Sequence, residues 1–184
     1  MWPWGHAAVG YLLYAAIARG RTDSRPASGA AVWLALGTQA PDLVDKPLAW
    51  TAGVLPTGRT LAHALPIVLP FLAATYALAG RRGHTEWAFA FGLGYLAHVF
   101  ADAVPSLAWG DPAYARFLLW PLLSVPPYDE TQSFLAHLTG IDLTGYFTAQ
   151  LVLTAIAAAV WWRDGLPGLD VLVAAWQRLG AAVT

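Results

Sequence analysis

The sequence predicts an all-α, multi-span helical membrane bundle: about four to five membrane-embedded helices plus short interfacial ones, forming a single integral-membrane domain over residues 1–184. Three observations lead there. Of the 184 residues, 58% are apolar and only 11% charged, against roughly 25% charged in an ordinary soluble domain. Mean hydropathy is +0.51. Long apolar runs recur between short charged loops, and no stretch alternates polar and apolar residues as a strand would.

The elements follow in order. Trp4 to Arg19 is an apolar run, short for a span of about 20 residues but flanked by tryptophans that suit the interface. The N-terminus lacks a basic n-region and does not read as a cleaved signal, so Trp2, Trp4 and His6 are expected in the mature chain. Arg19, Arg21 and Arg25 mark a first loop. Ser28 is expected to cap a second segment that stops at Ala40-Pro41 and is closer to a half-span. Residues 41–59 hold two Asp, the only Lys and three Pro, and read as a structured loop.

Thr60 to Gly80 has no formal charge and is the clearest transmembrane candidate, with Pro66 and Pro70 inside it. His84 to Val104 is a second long helix, broken by Pro105 to Gly110. Short helices are expected at Arg116 to Leu123 and Glu130 to Leu138. Leu143 to Trp162 is a third strong span, and Gly168 to Leu179 reads as an amphipathic surface helix.

Composition excludes several functions. The net charge is −1 and the ten Lys and Arg are scattered, so no basic stripe offers itself to nucleic acid. There is no Cys, hence no disulfide, no thiolate-held zinc and no thiol nucleophile. The Arg loops assign one side of the membrane to the cytoplasm. His6, Asp42, Asp45, His63, His98 and Asp102 then all fall at the opposite end of the bundle.

Those residues are the candidate chemistry. His98 and Asp102 lie at i and i+4, one turn apart on one helix face. That suits two ligands of one metal, a carboxylate orienting a ligating imidazole, or a plain interhelical hydrogen bond. Asp42 and Asp45 suit metal bridging or general-base work, or else the helix N-terminal dipole. Arg59 and His63 are again i and i+4: His63 can ligate, and Arg59 can hold a substrate anion or pair with Asp42 or Asp45. His6 reads as a ligand or an interfacial histidine. His137, near Asp129 and Glu130, reads as an extra ligand or a solvated residue, and His84 as a surface residue.

Four motifs carry a resemblance: GHAAVGYLLY with His6, GTQAPDLVDKP with Asp42 and Asp45, GRTLAHALP with Arg59 and His63, and GYLAHVFADAV with His98 and Asp102. Over roughly the first 105 residues, the chain resembles the YdjM-like membrane-bound metal-dependent hydrolases. That family is distantly similar to the zinc-dependent phospholipase C and P1 nuclease group. The resemblance implies a divalent metal, zinc ahead of manganese, held among His6, Asp42, His63, His98 and Asp102. For a metal-dependent hydrolase, Asp42, Asp45 or Asp102 is expected as base, and Arg59 as the group that stabilises developing negative charge. Met1 precedes Trp2 and Ile141 stands where a second His-x-x-x-Glu pair would end, which implies one or two metals rather than three.

The expected function is a membrane-embedded hydrolase of a phosphodiester or lipid-like substrate at the interface of the inner or plasma membrane. The partners are the lipid bilayer and a small-molecule or lipid substrate. The alternatives are an ion or proton path, a haem protein with axial histidines, and a structural scaffold.

Overall fold

A computed structural model describes residues 1–22, 25–126, 133–135 and 143–183. Among them are six α-helices and no strand: α1 Pro3–Thr22, α2 Ser28–Lys46, α3 Leu65–Gly80, α4 Thr85–Ala108, α5 Gly145–Arg163 and α6 Leu169–Val183. A π-helical turn (Pro47–Thr51), a single 3-10 turn (Leu61–His63) and a 3-10 helix (Pro112–Leu119) join them.

Two of these helices, α4 and α5, are long and apolar enough to cross a membrane. At roughly 1.5 Å per residue they reach about 36 and 28 Å, against about 30 Å of hydrocarbon. The run expected to cross from Thr60 to Gly80 is shorter than that. Its first residues form the 3-10 turn carrying His63, the chain is extended at Ala64, and the apolar helix begins only at Leu65. Pro66 thus sits at the helix start, where its missing N–H costs nothing, and only Pro70 is interior.

Two other prolines do not stop their helices. α2 runs through Pro41 to Lys46, so Asp42 and Asp45 are helical residues rather than loop residues. α4 likewise continues through Pro105 to Ala108. Packing against neighbours offsets the lost backbone bond at Pro41, which is fully buried. Ser28 is the first helical residue rather than the cap; Ala27 takes that position without a side-chain bond. The short helix expected around Arg116 is the 3-10 helix, capped by Asp111. The helix expected at Glu130 to Leu138, with His137 and Asp129, lies largely outside the described residues.

α2 and α4 pack at backbone distance. A Cβ built on Gly37 would fall 2.1 Å from the Phe91 carbonyl oxygen, and one on Gly94 would fall 2.4 Å from that of Leu34. Glycine is required at this crossing, as is common where membrane helices approach closely. α1 lies across this pair, with Ala8, Tyr14 and Ala15 buried. α3 covers α4 through Val68, Tyr95 and Val99, with Phe117 closing the cluster.

The ends of the bundle differ in character. At one end Asp164 accepts hydrogen bonds from Tyr11 and Arg19, tying the α5 C-terminus to α1. At the other, the Trp2 amide donates to Gln150 near the start of α5.

Candidate metal centre

The second end holds the cluster. Four donors converge there: Asp42, His63, His98 and Asp102 each offer an atom lying within 4.8 Å of the others. His63 Nε2 and His98 Nε2 are 3.2 Å apart. Asp42 Oδ1 is 3.7 Å from each of them, and Asp102 Oδ2 is 3.8 Å from each. For comparison, ligands of a tetrahedral zinc at ordinary bond lengths stand about 3.3 Å apart.

Each imidazole is oriented by its other nitrogen. His98 Nδ1 is 2.7 Å from the Thr38 carbonyl oxygen of α2. A carbonyl only accepts, so Nδ1 carries a proton and Nε2 is the nitrogen turned to the cluster. His63 Nδ1 stands 2.8 Å from Asp45 Oδ2. Asp45 is fully buried and also accepts from the Thr60 and Ala62 amides at 2.7 and 2.8 Å. With both amides donating to it, the Asp45 carboxylate also accepts from His63 Nδ1–H, which leaves Nε2 turned to the cluster. Burial pushes the His63 imidazole below its ordinary 6.5, with the Asp45 hydrogen bond opposing, which also favours the neutral ring.

Two imidazole nitrogens at 3.2 Å share a proton or a metal ion. Asp42 Oδ1, buried without a hydrogen-bond partner, faces the same point. A proton would satisfy one nitrogen pair; it would leave Asp42 Oδ1 unpaired. Two imidazoles and two carboxylates form a donor set that suits a divalent ion such as zinc.

The remaining candidates sit around this core. Asp45 lies behind His63, its oxygens committed to the ring and the loop, in the carboxylate–histidine arrangement that orients metal ligands. Arg59 pairs with Asp102, not with Asp42 or Asp45: its Nε is 2.8 Å from Asp102 Oδ2. His6 is outside the four-donor group. Its ring stacks on His98 at 3.6 Å, and its Nε2 is 3.3 Å from Asp102 Oδ1, which also accepts from the Met1 amino group at 2.7 Å. His84 stacks on Trp87 at 4.4 Å, on the helix α4 end remote from the cluster.

Two contributors escape a reading of the sequence. The Thr38 carbonyl is a backbone group with no residue-type signal. Lys46 is different: its Nζ lies 2.5 Å from Asp42 Oδ2 at i and i+4. That spacing is legible once α2 is known to pass Pro41.

No curated protein and no solved structure matches the chain. A family model does, over residues 1–183, nearly the full length and well past the motifs that carry the cluster. The chain therefore belongs to the YdjM inner membrane protein family.

Proposed function

We propose that the chain is a multi-pass, membrane-embedded metal-dependent hydrolase acting on a phosphodiester or lipid-like substrate at the membrane interface. The observation that carries this reading is the His63 and His98 Nε2 atoms 3.2 Å apart beside the unpartnered Asp42 Oδ1. Membrane-inserted, α1, α2 and α3 stand with α4 and α5 as the four to five embedded helices of one domain. The exposed apolar side chains of α3 (Leu69, Phe71, Leu78) and α5 (Leu151, Val152, Ile156) support this, since they suit lipid.

His63, His98 and Asp102 would hold the ion, with Asp42 facing the same point; zinc fits the set best and manganese is second. When bound, it supplies Lewis acidity and an acidified water. The chain's own residues do the rest. Asp45 and the Thr38 carbonyl fix both imidazole tautomers. Asp42 is the carboxylate placed to take a proton from water, because its Oδ1 has no other partner. Arg59, partly exposed above Asp102, stabilises negative charge developing on the substrate. His6 buttresses His98 and Asp102 from beneath.

The test is hydrolysis of bis-p-nitrophenyl phosphate by protein reconstituted with zinc or manganese in detergent. Turnover that disappears in His98→Ala is expected; equal turnover in both proteins contradicts the reading. The alternative, an ion path or scaffold, would be favoured by a wild-type protein that takes up no metal.

A further inference from the structure

We propose that Lys46 is a substrate-binding residue that, with Arg59, makes the site selective for a phosphoryl anion. This deepens the hydrolase reading above and rests on it.

Charge is the first observation. The cluster sets three carboxylates (Asp42, Asp45 and Asp102) against three cationic groups, Lys46, Arg59 and the Met1 amino group. These formal charges balance, so a divalent ion among them would leave an excess of positive charge. A net positive charge among buried groups is costly until an anion balances it. A neutral ester or amide supplies none; a phosphodiester supplies one.

Position is the second. The two side-chain cations hold different carboxylates of the donor set: Lys46 on Asp42 and Arg59 on Asp102. His63, His98 and Asp102 are buried and the Asp42 side chain is 10% exposed, whereas that of Arg59 is 30% exposed and that of Lys46 13%. A ligand reaching the open edge of Asp42 meets the Lys46 ammonium bonded to it, and one reaching Asp102 meets Arg59. Lys46 Nζ has three N–H groups, of which Asp42 Oδ2 engages one. A compact ammonium and a planar guanidinium are the two groups proteins use to hold phosphate.

The Lys46 stem is held in place. Its Nζ lies 5.4 Å from the centre of the Trp50 ring. Gly58, next to Arg59, packs so closely that a Cβ there would be 3.2 Å from Lys46 Cγ and 3.1 Å from Trp50 Nε1. The loop bearing one cation thus rests on the stem of the other.

The experiment uses full-length protein in detergent, loaded with zinc, and measures binding by calorimetry. One arm titrates inorganic phosphate; the other titrates dihexanoylphosphatidylglycerol below its micelle concentration. Wild type, Lys46→Met and Lys46→Arg are compared, with zinc stoichiometry measured on each. The expected result is full zinc in all three, binding at least about tenfold weaker in Lys46→Met, and binding within about threefold of wild type in Lys46→Arg. Loss confined to the lipid arm supports the inference with a headgroup as the anion's source; loss in the inorganic arm supports it with free phosphate.

Equal affinity of Lys46→Met and wild type overturns the inference, as does zinc-loaded wild type that binds neither ligand. Both leave the metal site standing. Loss of zinc from Lys46→Met also overturns it, by making Lys46 structural. A wild type that takes up no zinc instead removes the reading on which the inference rests.

Discussion

Asp45 and His63 show how the site is built at the scale of single residues. Asp45 was expected as a catalytic carboxylate; its oxygens are spent on two loop amides and the His63 ring. Asp45→Asn puts an amide N–H against those donors and turns the ring. Zinc affinity should fall about 10- to 100-fold, the usual cost of losing such a partner; competition with a chelator reads it. His63 also predicts a pH dependence. Burial holds its folded pKa below the ordinary 6.5, so the folded metal-free state binds fewer protons than the unfolded state near and below that value. Stability of metal-free protein should therefore drop as pH falls through 6.5. Thermal melts across that range should show a shallower slope in His63→Gln, and an unchanged slope would contradict the assignment.

At the scale of elements, the α2–α4 crossing sets the site. Thr38 reaches His98 only because Gly37 and Gly94 let the two backbones meet. Gly37→Ala should cost roughly 1–3 kcal/mol of stability by overpacking and also weaken metal binding. Gly20→Ala, where an added Cβ meets nothing within 4 Å, should change neither. This level also marks where sequence reading succeeds. His98-x-x-x-Asp102 was legible because both residues sit on one uninterrupted helix. Asp42 and Lys46 were not legible as a pair, because Pro41 ordinarily ends a helix and does not here. Arg59 was placed near the right carboxylates but on the wrong one. Its partner is set by a loop fold, which carries no periodicity. The length of α3 was overestimated for a similar reason: hydropathy does not register the break at Ala64.

At the scale of the molecule, the cluster and the Arg19–Asp164 pair occupy opposite ends of the bundle. Scattered His and Asp were assigned to one end from the Arg loops alone, and the helix directions bring them together there. On the multi-pass arrangement proposed above, the positive-inside rule would put the cluster on the non-cytoplasmic side. The absence of native Cys makes this directly testable. Val54→Cys, exposed on the loop after α2, should react with an impermeant maleimide in intact spheroplasts. Arg82→Cys, between α3 and α4, should react only after lysis. The reverse pattern would invert the topology.

The central claim is that Asp42, His63, His98 and Asp102 form a metal centre. The most direct test is metal content by mass spectrometry on detergent-purified wild type and a His63→Ala, His98→Ala double variant, each after zinc or manganese is added and free ion removed. One or two metal ions per wild-type chain are expected, and their loss from the variant. Metal-free wild type, or equal metal in both proteins, would contradict the claim.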